Sequence, residues 1–291
     1  MSNMITKNMT TYDNLYMLSQ LSNNLVLSQE GFGSFIEKVG SFFVTKVGQV
    51  REALGLSASQ SNKLVDEYNA YLKDLDKNKQ NLIWVVNNVE YMTAKQLRVM
   101  APAGIKVDLV KLSSLLEEAL EDIQDKVFKS LDELDITISS VLSDESYRLQ
   151  SKPLKPNKDA ITYSDKLYDM LNKCIDTKKL EDTRLIKDLL PNISSMTKVY
   201  DTLVKSANKT SSKFLININD LIDSIYVKTQ TLEKEMNEEF EISKTVLNKL
   251  ATDLEYNAKL VTATMSVVYL YNQTVLCLNN LVNKLVTLDR K

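Results

Sequence analysis

Apolar residues recur at eleven-residue intervals through the first half of the chain. Leu64, Leu75, Val86 and Leu97 form one row, and Leu109, Leu120, Leu131 and Leu142 form another. Two further rows flank the second, Leu112, Ile123 and Leu134, then Leu116, Val127 and Ile138. Eleven residues over three turns is about 3.67 per turn, close to the natural α-helix, so such a stripe stays on one side of a helix with little supercoiling. Ser57-Ala58-Ser59-Gln60 has the form of a capping box and predicts a helix from there to about Met100. Ala101-Pro102-Ala103-Gly104 breaks it, and a partner helix is predicted from Ile105 to Arg148. Each arm has about 44 residues, or ~66 Å of helix. Equal arms across a short turn predict an antiparallel hairpin over residues 57–150.

The end of the chain has a different rhythm. Leu247, Leu254, Val261, Val268, Val275 and Val282 recur every seven residues. Leu250, Tyr271, Leu278 and Leu285 occupy companion positions, with Asn257 and Thr264 in the two others. This is a coiled-coil-like seam with polar interruptions of the kind that fix register at a cost in stability. Between these regions Ser151-Lys152-Pro153-Leu154-Lys155-Pro156-Asn157 excludes helix and reads as a linker, taken as residues 151–158. Helices are predicted over about 160–175 and 178–190, the second stopped by Pro191, with another from near Ile193. A break at Asn208 to Ser212 and a bend near Asn237 complete a C-terminal bundle over 159–291. No repeat with a period of 20–50 residues appears. The expected fold is all-α, an elongated bundle of long antiparallel helices with coiled-coil-like packing.

Composition narrows the classes of function. Of 291 residues, 44% are hydrophobic and 25% charged, with only six glycines and four prolines, too few for the turns of a β-rich fold. From Asn192 to Lys291 there is neither Gly nor Pro. The net charge is −2, from 36 basic and 38 acidic residues spread along the chain. The densest basic stretch, Lys152, Lys155 and Lys158, lies in the proline linker and reads as a solvated segment, so strong sequence-specific binding of nucleic acid is not expected. Histidine is absent, which removes the commonest general base and metal ligand. No phosphate-binding glycine loop, zinc-protease motif or paired-cysteine motif is present, so the chain is read as non-enzymatic and without a cofactor or metal.

The remaining candidates have structural readings. Cys174 and Cys277 lie among apolar neighbours and read as buried small side chains. Glu117, Glu118, Glu121, Asp122 and Asp125 fall on the outer face of an amphipathic helix, where charge belongs without any metal. Trp84 reads as a packing anchor. From Leu260 to Asn283 there are 24 consecutive uncharged residues, long enough to span a bilayer. Thr262, Thr264, Ser266, Asn272, Gln273, Asn279 and Asn280 within it favour the central helix of a bundle over a membrane span.

The N-terminus stands apart. Residues 1–30 carry only Lys7, Asp13 and Glu30 as charges, and Tyr12, Leu15, Leu18, Leu21 and Leu25 outline a short amphipathic helix. Polar residues interrupt it, so it does not read as a secretory signal. Five of the six glycines then fall between Gly31 and Gly55, interspersed with Phe32, Phe35, Phe42 and Phe43, and Ser34-Phe35-Ile36-Glu37 caps a short helix within residues 31–56. The junction reads Ser28-Gln29-Glu30-Gly31. A small residue, any residue, then Glu resembles the site cut by head maturation proteases of giant tailed phages, whose internal (inner-body) head proteins carry N-terminal propeptides. The resemblance spans roughly the first fifty residues and rests on a short motif, which Ser143-Asp144-Glu145 also matches. What sets Glu30 apart is its place at a composition boundary beside Gly31, whereas the second triplet falls near a predicted helix end.

The resemblance implies a helical propeptide removed after Glu30, leaving residues 31–291 with 35 basic and 36 acidic side chains. It implies a virion structural protein made in the bacterial host cytoplasm and packaged in the capsid interior. Its partners would be other head proteins and, as a substrate, the protease itself. The alternatives are a helical-bundle pore-forming or membrane-remodelling protein, and a coiled-coil adaptor or scaffold that self-associates through the C-terminal helix.

Overall fold

The computed structural model describes residues 70, 73–176, 183–209, 212–237 and 241–289. In chain order the elements are α1 (Lys79–Asn88), α2 (Tyr91–Ala94), β1 (Arg98–Met100), α3 (Leu109–Ser143), α4 (Glu145–Arg148) and α5 (Lys158–Cys174). They continue with β2 (Thr183–Leu185), α6 (Ile186–Leu189), α7 (Ser195–Lys209), α8 (Ser212–Asn237) and α9 (Lys244–Asp289). Long helices packed on one another dominate, and the all-α bundle is the observed architecture.

Helix α3 carries the eleven-residue rows. Asp108 starts it, its Oδ1 accepting from the Lys111 backbone N–H at 2.8 Å. Leu109, Leu112, Leu116, Leu120, Ile123, Val127, Leu131, Leu134 and Ile138 are all buried, none more than 2% exposed. Leu142 is the exception: it is half-buried near the helix end, and Val141 turns inward instead. Each such side chain contributes about 1.5–3 kcal/mol by leaving water.

Helix α9 is 46 residues long and buried on most of its circumference. Both seven-residue rows point inward, including the polar members Asn257 and Thr264. Leu260, Ala263, Val267, Leu270, Thr274 and Leu281, outside those rows, are buried as well. The inward face is therefore wider than a two-sided coiled-coil seam, while Asn248, Leu276, Asn283 and Thr287 keep an exposed stripe along the helix. The predicted break at Asn208 to Ser212 and bend at Asn237 coincide with the ends of α7 and α8.

Two sequence expectations fail locally. The helix predicted through Met100 ends at Asn88, and Val89 is extended. Asn88 Nδ2 donates to the Trp84 carbonyl at 2.8 Å, a side-chain alternative to continued helix beside β-branched Val85, Val86 and Val89. Trp84 itself is half-buried, while Leu82 and Val85 make the core contact. The helix predicted over 178–190 is, in its described part, the strand β2 and the single turn α6. β2 pairs antiparallel with β1, Val99 opposite Arg184, and Ile186 N–H bonds to the Leu97 carbonyl at 2.9 Å. Tertiary pairing thus overrides local helix pattern in both stretches. Lys284 Nζ donates to the outward Arg98 carbonyl at 2.5 Å, covering part of that ribbon's open edge.

Beside the expected hairpin over 57–150, linker and bundle over 159–291, the contacts group the chain into two compact units. One compact unit takes Asp125–Asp165 and Leu215–Ala263, the other the described residues of Val65–Gln124, Lys166–Phe214 and Thr264–Lys291. The proline segment lies inside the first unit and bounds neither. Proline stops a helix but does not separate apolar faces, and these faces are completed by residues distant in sequence. In the first unit α3 and α5 run antiparallel, with Lys126 over the Tyr163 ring at 4.8 Å and Glu133 bonded to Asn157 at 2.7 Å. In the second, Lys166 meets Asp122 at 2.9 Å, and Ile105 bridges to Ile175 in the same sense. Gly104, at φ 68°, makes the turn after Pro102 that delivers Ile105 to this bridge.

Truncating Leu116 to Ala should cost about 2–5 kcal/mol, against a clearly smaller loss for Leu142→Ala. Urea unfolding of the two variants gives the comparison; equal losses would mean the eleven-residue rows do not carry the core.

Candidate functional site

The residues singled out by sequence do not converge. Ser28, Gln29, Glu30 and Gly31, like all of residues 1–30 and 31–56, lie outside the described residues. The competing triplet Ser143-Asp144-Glu145 sits at the α3–α4 junction, fully exposed. Asp144 has extended backbone (φ −121°, ψ 105°), but its side chain caps the Tyr147 N–H at 3.2 Å and its carbonyl accepts from Arg148 N–H. A protease would have to unwind that turn to seat the triplet. The acidic residues of α3 line its outer side, where Lys166 approaches Asp122 at 2.9 Å and Glu118 at 3.8 Å. The hydrogen bond from Lys166 to Asp122 holds its ammonium above the usual lysine range. Lys152, Lys155 and Lys158 are exposed.

Both cysteines are buried free thiols. Burial pushes Cys174 up to about 11, against smaller opposing effects from Lys111, Lys106 and Lys173, and pushes Cys277 up to about 12. Such thiols are poor nucleophiles at neutral pH. Tyr91 donates to the Leu190 carbonyl at 2.6 Å, and burial, then Asp188, raises its phenol.

What the fold does assemble is a polar layer in the first unit, where α3, the proline segment and α9 meet. Ser130 on α3, 4% exposed, donates to Asn257 Oδ1 on α9 at 2.9 Å. Asn257 Nδ2 donates one helical turn back to the Asp253 carbonyl at 2.9 Å, so the amide is used on both sides. Asp253 is 2% exposed. Its Oδ1 accepts from the Asn157 backbone N–H at 2.7 Å, and its Oδ2 is paired with Lys249 one turn earlier. Asn157 Nδ2 reaches Glu133 at 2.7 Å and Ser130 at 3.4 Å, while its Oδ1 receives the Asp159 N–H at the start of α5. A second group joins α3 to α8, Lys228 meeting Asp135 at 2.6 Å and Ser139 at 2.8 Å, with Ser224 on Asp135 at 2.8 Å.

Chemically this layer is a set of satisfied hydrogen bonds with one buried, paired carboxylate. It positions helices and ties a non-helical segment to α9. Of its members Asn257 was visible as a polar interruption of the seam, while Asn157 was read only as part of the proline linker. Asp253 was missed. The available signal was a charge directly beside Leu254 of the seven-residue row.

No family model, curated protein or solved structure matches the chain.

Asn257→Ala should lower stability by about 1–3 kcal/mol, because Ser130 loses its acceptor, and the loss should be non-additive with Ser130→Ala in a double-mutant cycle. Additive losses would show that the two residues act separately. The thiols predict a pH effect of defined sign. The folded chain keeps protons that the unfolded chain releases above the ordinary cysteine value of 9.0. Their contribution is therefore constant below pH 9 and is lost as pH rises toward about 11 and 12. The alkaline fall in denaturant midpoint should be shallower in the Cys174→Ala/Cys277→Ala variant than in the wild type.

Proposed function

We propose that the protein is a non-enzymatic structural component of a phage particle, an internal head protein packaged in the capsid after removal of an N-terminal propeptide. The observation that carries the structural part is the use of its polar and reactive groups. In the first unit Ser130 bonds to Asn257 and Asp253 to the Asn157 backbone, so these buried groups join separate elements, and the two thiols are buried with raised pKa. The particle and the processing step are supported by the resemblance of Ser28-Gln29-Glu30-Gly31 to a head maturation site, at a sharp change in composition. Near-neutral charge, 35 basic against 36 acidic residues in 31–291, suits a protein confined beside DNA without strong attachment to it.

A membrane role is the second reading, favoured by the length and composition of one helix. Within Lys244–Leu288 a stretch of 18 residues is apolar enough to cross a membrane by length and composition, but 76% of that stretch is buried inside the protein. Lipid contact would need this helix withdrawn from the core it fills. Self-association through α9 would have to use faces other than its two seven-residue rows, which are covered within the chain.

Intact-mass and N-terminal analysis of the protein recovered from purified particles should give a chain beginning at Gly31, and Glu30→Ala should retain the full length. Another dominant N-terminus removes the processing claim, and absence from particles removes the function. Co-sedimentation with anionic liposomes should leave the protein in the supernatant; partitioning into lipid would favour the second reading.

A further inference from the structure

The segment between α4 and α5 is attached to α9 at both of its ends. At one end the Ser243 N–H donates to the Arg148 carbonyl at 2.8 Å, and Ser243 Oγ donates to the Gln150 carbonyl at 2.5 Å. Ser243 Oγ also accepts from the Val246 N–H at 3.3 Å, so the residue that caps α9 also holds the segment. At the other end Asp253 Oδ1 accepts the Asn157 N–H at 2.7 Å. Between these anchors Ser151, Lys152, Pro153 and Lys155 are exposed, and Leu154 is half-buried. Pro153 and Pro156 prevent the segment from joining either flanking helix.

The groups facing the far anchor are polar: Asp253, Ser130 and Asn257, with Glu133 alongside. Water can replace the segment at these polar groups, whereas opening the leucine rows of α3 has no such compensation. We propose that residues 149–157 form a strap that detaches from α9 as one unit while the α3, α5 and α9 helices of the first unit stay folded. Ser243, which caps α9, and Asp253 on it are the two clasps, about ten residues apart, with Thr245 Oγ1 donating to the Ser151 carbonyl at 3.5 Å between them. Detachment frees the buried Asp253 carboxylate and the Arg148 carbonyl to water, so the strap is a conformational switch, set by how firmly those two clasps hold.

The test is native-state hydrogen exchange on the full chain, read at the amides of Asn157 and Ser243, which bond across the strap from opposite ends. Both should exchange well before the buried-face amides of α3, and at similar rates. Asp253→Ala removes the acceptor at one clasp and should speed exchange at Asn157 by about tenfold or more, the scale of one lost charge-assisted bond. If the strap moves as a unit, the Ser243 amide speeds up by a comparable factor. The reciprocal variant Ser243→Ala leaves Asp253 in place and should speed exchange at Asn157, which carries the test should Asp253→Ala lose its helical circular dichroism. Acceleration confined to the altered clasp, or strap amides that exchange only with the α3 core, overturns the proposal. Neither outcome touches the processing claim, which concerns Glu30.

Discussion

A helix whose inward face is wider than a coiled-coil seam needs cover from more than one partner, and α9 imposes this constraint on everything around it. Forty-six residues with inward-facing Leu, Val and Ala on several sides need cover from several directions. Rows of α3 supply part of that need for a compact core, and shorter helices complete it. Polar residues on α9 are then confined to places where another polar group can reach them. Asn257 has Ser130, Asp253 has the Asn157 backbone and Lys249, and Tyr271 donates to the Leu203 carbonyl at 3.1 Å. Apart from the Asp253–Lys249 pair, which lies within the helix, each of these bonds joins α9 to another element, so the polar minority determines register while the apolar majority supplies the driving force.

The helical class and the inward faces were readable because burial leaves a periodic trace. Leu109 to Ile138 and Leu247 to Leu285 repeat at intervals that match a helix, and those residues are the core. Pairing between distant short segments leaves no such trace. Thr183 to Leu185 look like part of a helix until Arg98 to Met100 are placed beside them. The division into units was illegible for a related reason. A proline-rich stretch announces the end of a helix, but which apolar faces meet depends on contacts such as Asn78 with Asn279, 201 residues away.

The candidate site divides in the same way. Ser28 to Gly31 was a matter of motif and composition, and only chemistry on the chain itself tests it. The polar layer, by contrast, depends on three-dimensional convergence. Asp253 is an unremarkable acid in sequence and becomes consequential only because a proline segment lays its Asn157 amide against it. Asn157 serves α5 and α9 together, capping one and binding the other, a convergence that its place in the proline linker does not reveal.

The interleaving of the two units bears on how the chain is made. Residues up to Ala263 complete one unit, and the other requires Thr264 onward, so both draw on α9. The leucine faces of α3 are synthesised more than a hundred residues before their partners on α9 exist. During translation those faces wait without their α9 partners, a state open to chaperones or premature association, so this pairing follows the synthesis of α9.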